Sequence, residues 1–299
     1  MITYDLIVIG AGPAGMLAAI HCKKAGMKNI LVIEKNIKLG GLLLTSDYNV
    51  FKDRPITGQE YLKQLEKEYD DQNIETLLST MVLNISEDGY VVCTSAERGI
   101  EEFKANKILI ANGGKEKGRH ALNMPGDRVA GLYSLGTAKQ IALDPTLSLG
   151  NSIVLFGTKH LDTIETVFLK RGYKISAVIN PTGDSFDFAP ADHSRCYDFY
   201  TISQILGDGR IEKLIIKNGL EVQEIACDTL IFADGWLSDG VVSMRSGLAL
   251  NPETTGPKVT NDFETSRESI YASGNAIFIH ESMEDLIEEA KRVAKVLLS

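Results

Sequence analysis

Tyr4-Asp-Leu-Ile-Val-Ile9, Gly10-Ala-Gly-Pro-Ala-Gly15 and Asn29-Ile-Leu-Val-Ile-Glu34 decide the fold. The first block is an apolar strand. The second is a glycine turn that opens a helix running to Lys24. The third is another apolar strand, closed by an acid. The spacing predicts a βαβ unit that holds a dinucleotide. Gly10 allows the tight turn, Gly12 lets the backbone approach a pyrophosphate, and Gly15 lets the helix pack close to the strand. The helix N-terminus offers free N–H groups and the positive end of its dipole to phosphates. Glu34 is placed to accept hydrogen bonds from ribose hydroxyls. The candidate contacts in this unit are Gly10, Gly12, Pro13, Ala14, Gly15, Glu34 and Lys35.

Bulk properties narrow the class. The chain has 299 residues, 44% apolar and 24% charged, which suits a globular protein of about two domains. Its net charge of −9 argues against nucleic acid and against broad attraction to an anionic membrane. No apolar run approaches the length of a membrane span. The first residues lack a basic leader region and run straight into a strand, so the expected compartment is the cytoplasm. Cys22, Cys93, Cys196 and Cys227 form no C-x-x-C pair, and His193 with Cys196 lacks the further ligands of a metal site. No metal is expected.

Further along, Gly40-Gly41 lies in a loop over 36–57. Tyr61, Leu62, Leu65 and Tyr69 mark an amphipathic helix over 58–72. Thr80–Ser86 and Tyr90–Thr94 alternate as strands around Glu87-Asp-Gly89. Lys107–Ala111 reads as a short buried strand that delivers Asn112-Gly113-Gly114. A second βαβ pattern begins at Asn151–Phe156, with a turn at Gly157, a helix over Leu161–Arg171 and a strand over Tyr173–Ile179. Residues 180–198 read as loop, and 199–206 as a short strand. A hairpin turns at Asn218-Gly219, and Asp228–Ala233 is a buried strand. Ser269–Ala272 leads into Ser273-Gly274-Asn275, and Ser282 with Asp285 caps a final helix whose N-terminus is expected to be free.

These motifs together resemble the two-dinucleotide-domain flavoprotein reductases of the pyridine nucleotide-disulfide oxidoreductase superfamily, in the compact thioredoxin-reductase-like layout. Gly10–Gly15, Glu34, Gly40-Gly41-Leu42, Ile56-Thr-Gly58, Ile108–Gly113 and Ile270–Asn275 carry the resemblance across nearly the whole chain. It implies an α/β fold of two three-layer, Rossmann-like domains, the second inserted into the first. Residues 1–114 and 235–299 would bind FAD, and 115–234 would form the NAD(P)-binding-like central domain. By resemblance, Gly41 and Leu42 line the route toward the flavin. Met81 or Val82 meets adenine through the backbone, and Ala111, Asn112 and Gly113 close the adenine side. Beside Gly274, Asn275 takes the position where an aspartate usually binds the ribityl and phosphate region, and Met283 and Glu284 begin the helix that faces the flavin. A homodimer is implied too. Lys115–Gly136 is similar to a subgroup found with amino-acid, opine or glycerol-phosphate dehydrogenase subunits.

Two features depart from that pattern. The redox C-x-x-C is absent, which argues against thioredoxin reduction by a dithiol. The central nucleotide loop reads Gly157-Thr-Lys159-His-Leu-Asp162, so only its first glycine remains. A carboxylate at Asp162 near phosphates costs on the order of 1–3 kcal/mol. No arginine cluster follows to hold a 2′-phosphate, so NAD(P)H binding is doubtful. The reading is an FAD-dependent oxidoreductase whose electron donor is left open between a nicotinamide, a protein electron donor such as ferredoxin or flavodoxin, and a dehydrogenase partner subunit. The alternatives are a non-catalytic or electron-transfer flavin subunit of a dehydrogenase complex, and an NADH-dependent flavin reductase. His280, Glu284 and Asp285 are the candidates for proton transfer. Lys115, Lys117, Arg119 and Arg128 form a candidate docking cluster.

Overall fold

A computed structural model describes residues 3–157, 167–184 and 195–299. The expected contacts at Lys159 and Asp162, the first part of the Leu161–Arg171 helix and His193 lie outside the described residues. The chain runs through β1 (Thr3–Ile9), α1 (Pro13–Lys24), β2 (Ile30–Ile33), α2 (Gly58–Asp70), β3 (Glu75–Leu77), β4 (Thr80–Ile85), β5 (Tyr90–Ser95), β6 (Gly99–Ile110) and β7 (Gly114–Glu116). It continues through β8 (Leu132–Ser134), α3 (Leu135–Leu143), β9 (Ile153–Phe156), β10 (Ile175–Asn180), β11 (Arg195–Asp198), β12 (Thr201–Asp208), β13 (Arg210–Asn218), β14 (Glu221–Ala226) and β15 (Thr229–Phe232). It ends with β16 (Trp236–Ser238), α4 (Val241–Arg245), β17 (Ile270–Ala272) and α5 (Met283–Leu298).

Two compact units result. One joins Met1–Lys115 to Leu237–Ser299, and the other is Glu116–Trp236, inserted between those segments. In the first unit the sheet order is β3-β2-β1-β6-β5-β4. The strands β1, β2, β3 and β6 pair in parallel, whereas β5 runs antiparallel to both β6 and β4. At its far end β6 pairs with β17, Ile108 opposite Ile270. Leu6, Ile7, Val8, Leu31, Val32 and Leu109 are wholly buried, which explains the unbroken apolar runs of β1, β2 and the end of β6. Only Lys107–Ala111 reads as strand in the sequence, yet β6 starts at Gly99. Its first half is exposed or half-buried and takes its register from β5, Ser95 opposite Gly99.

The helices follow their local chemistry. Pro13 at the start of α1 has a fixed φ and no N–H to lose. Ala14, Ala18 and Ala19 let α1 lie buried. A capping box joins Thr57 and Glu60 at α2, and Ser282 Oγ accepts the Asp285 N–H at α5.

The second unit carries a parallel sheet of order β11-β10-β9-β15-β8 and an antiparallel β12-β13-β14 sheet. Arg195–Asp198 reads as loop in the sequence but pairs in parallel with β10, Cys196 opposite Val178. Asp228 ties this unit together: its carboxylate accepts the N–H groups of Asn151 (2.8 Å) and Ser152 (3.1 Å). Burial works against ionisation there. The two N–H groups, Thr229 and Arg210 outweigh it and hold the carboxyl below its ordinary value.

Candidate dinucleotide site

The turn after β1 is built by the backbone before any ligand is considered. Gly10 has φ +104°, and a Cβ there would lie 2.5 Å from Ala111 O. Its N–H donates to Ile33 O at 2.8 Å. A Cβ on Gly15 would run into Gly10 O, so this glycine seats α1 on the turn. Gly12 is different. It has extended backbone at φ −76°, and nothing lies within 4 Å of a Cβ placed on it. The protein itself gives no steric reason for glycine at this position. A ligand that meets the backbone gives one, and a pyrophosphate at a helix N-terminus is such a ligand. Pro13 has no N–H, and those of Ala14 and Gly15 have no acceptor among the described residues.

Glu34 stands at the other wall of the turn, buried at the end of β2. Its Oε2 accepts the Ala11 N–H and its Oε1 the Asn36 N–H, both at 2.8 Å. Gly40 donates to Ala11 O at 2.8 Å, and a Cβ on Gly41 (φ +54°) would come within 3.0 Å of Gly12 Cα. The glycine pair, with Leu42 second in the short 3₁₀ turn Gly41–Thr45, therefore closes over the same backbone.

A cleft opens beside the turn. Gly10, Glu34, Lys35, Val82 and Asn112 line it, and so do Thr80, Asp239, Val241, Val242 and Arg245, which sequence reading did not single out. The last four arrive when the chain returns from the second unit into α4, a stretch with no local motif. Asn112 Nδ2 donates to Asp239 O at 2.8 Å, and Asp239 N–H donates to Gly113 O at 3.0 Å. Asn112 Oδ1 is buried without a partner among the described residues. Ala111 adds its N–H to Ile9 O at 2.8 Å. These residues fit a dinucleotide: an apolar slot, a buried acid and an N–H-rich turn lie together.

The tail has its own network. Gly274 has φ +69°, and a Cβ there would sit 2.5 Å from Ala14 Cβ, so this turn rests on the start of α1. Glu289 Oε1 accepts from Gly274 N–H (2.5 Å) and Ser273 Oγ (3.0 Å). Glu289 Oε2 lies 3.0 Å from His280 Nε2. Burial pulls the Glu289 carboxyl upward, but His280, the Gly274 N–H and Ser273 together bring it below its ordinary value.

The proposed proton-transfer residues take separate posts. The His280 side chain is 4% exposed and held between Asn275 and Glu289. Glu284 Oε1 accepts the Lys52 N–H at 2.9 Å. Asp285 accepts from Ser282 Oγ at 2.7 Å and lies 3.4 Å from Lys52 Nζ. The expectation that the α5 N-terminus stands free is corrected here. Met283 N–H donates to Val50 O at 3.0 Å, Asp285 N–H to Ser282 Oγ at 3.3 Å and Leu286 N–H to Ser282 O at 3.4 Å. The candidate docking cluster also has partners within the chain. Lys115 pairs with Asp239 (3.9 Å) and Lys117 with Asp234 (3.1 Å). Arg119 donates to the carbonyls of Met124, Gly126 and Asp127. These three side chains are tied to the loop and its neighbours, and Arg128, the fourth of the cluster, is exposed.

The sequence signature described as pyridine nucleotide-disulphide oxidoreductase matches residues 4–158. The chain belongs to that family. It is thereby an oxidoreductase, and family membership accounts for the turn, the acid and the α/β architecture together. A thioredoxin reductase of Bacillus subtilis (strain 168) is 25% identical over 283 residues, covering 91% of this chain and 86% of that protein. A ferredoxin–NADP reductase of Streptococcus gordonii is 27% identical over 289 residues, covering 91% and 85%. Among solved structures, the bacillithiol disulfide reductase Bdr (YpdA) from Bacillus cereus superposes with a TM-score of 0.77 over 99% of both chains, at 19% identity. This member of the family lacks the C-x-x-C spacing. Cys22, Cys93 and Cys227 are buried, and Cys196 is exposed. Among the described residues, no cluster of His, Cys, Asp and Glu suits a metal ion, and no helix is long and apolar enough to cross a membrane.

Proposed function

We propose that the protein is an FAD-dependent oxidoreductase whose flavin exchanges electrons with its donor and acceptor without a cysteine relay. The observation that carries this is Gly12, where the protein leaves open the volume a side chain would fill. FAD supplies the redox chemistry when bound. The chain's residues bind and orient it. Gly10, Gly12 and Gly15 with Pro13 and Ala14 bring backbone N–H groups to the pyrophosphate, and Glu34 with Lys35 meets the adenosine ribose. Val82, Ala111, Asn112 and Gly113 enclose the adenine. Gly41, Leu42, Gly274, Asn275, Met283 and Glu284 lie on the route of the flavin.

The cysteines support direct electron exchange. Burial pushes the thiols of Cys22 and Cys227 up to about 12 and that of Cys93 to about 11. Thiols held that high are poor nucleophiles near neutral pH. The donor we favour is a protein electron carrier or a partner dehydrogenase subunit. Two ferredoxin–NADP reductases among the relatives support an electron-carrier route, and the Lys159–Asp162 sequence weighs against an ordinary pyridine nucleotide.

Anaerobic titration of the purified yellow protein with dithionite tests the reading. The flavin band should bleach with one flavin's worth of reducing equivalents and no more. Uptake of further equivalents would show a redox-active disulfide and overturn it. Stopped-flow mixing with NADH and NADPH separately then reads the donor: slow or absent bleaching supports a protein donor, and rapid bleaching assigns a nicotinamide.

A further inference from the structure

Asn275 stands in a three-residue chain of hydrogen bonds that no motif in the sequence announces. Its Oδ1 accepts the His280 backbone N–H at 3.0 Å. A backbone N–H can only donate, so this bond identifies which end of the amide is oxygen. The same Oδ1 lies 3.1 Å from His280 Nδ1. Two lone pairs would repel at that distance, so Nδ1 carries a proton. The opposite ring nitrogen, Nε2, is 3.0 Å from Glu289 Oε2, and a proton must lie between these two atoms as well. Glu289 is fixed in turn by Ser273 and Gly274 at its other oxygen. Phe278 stacks on the imidazole with ring centroids 4.2 Å apart. The histidine therefore has no freedom to turn, and neither does the amide it holds.

The consequence falls on the amide nitrogen. With Oδ1 committed to His280, Asn275 Nδ2 has no hydrogen-bond partner among the described residues. Asn275 follows Gly274, which rests directly on Ala14 at the opening of α1. The residue that carries this donor thus directly follows the one that rests on the turn whose own N–H groups are unfilled.

We propose that His280 and Glu289 are positioning residues that lock the Asn275 carboxamide with its NH₂ toward the bound dinucleotide, presenting a donor to an acceptor oxygen of the FAD chain. This rests on the FAD reading above and deepens it. An ionised carboxylate placed there could only accept hydrogen bonds, whereas a locked amide presents two N–H donors. Left free, an amide flips to suit its neighbours. The Glu289–His280 pair removes that choice in advance, which is how preorganisation raises affinity.

The test is FAD binding by the flavin-stripped full chain, followed by flavin fluorescence, in a double-mutant cycle. Asn275→Ala and His280→Phe are each expected to weaken FAD binding by about tenfold or more. In the double variant the losses should not add, because His280 acts through Asn275. A merely structural histidine would instead give additive losses, and that result would overturn the proposal. His280→Gln, whose amide can still donate to Asn275 Oδ1, should recover part of the affinity. If His280→Phe fails to fold, Glu289→Gln with Asn275→Ala completes the same cycle. Nitrogen-15 NMR of the wild-type histidine ring gives an independent reading: a proton on Nδ1 supports the lock, and a bare Nδ1 overturns it. Failure of the wild-type chain to bind FAD would sink the functional reading and this proposal together. Tight binding with additive losses would sink only the lock.

Discussion

Glu34 Oε2 accepts the N–H of Ala11 at 2.8 Å, so the acid that closes β2 is bonded into the glycine turn that follows β1. Its second oxygen accepts the Asn36 N–H at the same distance. The carboxylate thus shapes the turn before it can meet a ribose. Glu34→Gln keeps the size but leaves one N–H facing an amide nitrogen. The unliganded protein should lose about 1–3 kcal/mol of stability, and FAD affinity should fall with it. Thermal unfolding of the apoprotein together with flavin titration checks both. A variant that loses affinity at full stability would assign Glu34 to the ligand alone.

The two glycines at the start of this turn should separate cleanly. Gly10→Ala forces a side chain into Ala111 O at a φ that disfavours it, and should cost about 2–4 kcal/mol. Gly12→Ala meets nothing in the protein, so apoprotein stability should stay within about 0.5 kcal/mol. Its FAD affinity should nevertheless fall about 10- to 100-fold, because the ligand must then accommodate the methyl group. Comparable FAD binding by Gly12→Ala and wild type would remove the main support for a pyrophosphate at this turn.

This contrast shows what was legible in the sequence and what was not. The glycine turn, the Asn218-Gly219 hairpin and the Ser282 cap are local: each needs particular residues within a few positions, so each leaves a pattern. The cleft's other wall is not local. Asp239, Val241, Val242 and Arg245 reach it only because the chain comes back after an inserted unit, and their own spacing signals nothing. The α5 N-terminus illustrates a third case. Its cap was readable, but Val50 O, which takes the Met283 N–H, lies in a distant loop. A reading of the helix alone therefore sees a free donor where the fold has already used it. His280 and Glu289 fall in the same class, since their meeting depends on how the 274–282 segment folds back onto α5.

Thiol chemistry offers a prediction independent of flavin. Cys22, Cys93 and Cys227 are buried and Cys196 is exposed. Burial and the neighbouring Asp198 also push the Cys196 thiol upward, so even this one is a slow nucleophile. In the native protein a thiol-specific disulfide reagent should titrate Cys196 alone, and Cys196→Ser should abolish that reaction. All 4 cysteines should react after unfolding. Prompt reaction of a second native thiol would expose a cysteine the fold shows as closed.

The Glu289 carboxyl makes stability depend on acid. Its value is lowered in the folded chain, where His280, the Gly274 N–H and Ser273 outweigh the opposing effect of burial. A carboxylate whose folded value is depressed adds stability above its unfolded value, and that stability is lost as pH falls through the folded one. The loss should therefore set in as pH drops below the ordinary carboxylate range of about 4–4.5 and continue downward. It should not appear between neutral pH and that range. Glu289→Gln removes the ionisable group while keeping its shape, so the variant should be less stable at neutral pH and lose less of what remains on acidification. Denaturant unfolding of both proteins across that range measures the difference. Parallel stability curves for wild type and Glu289→Gln would show that the acid sensitivity belongs to other carboxylates.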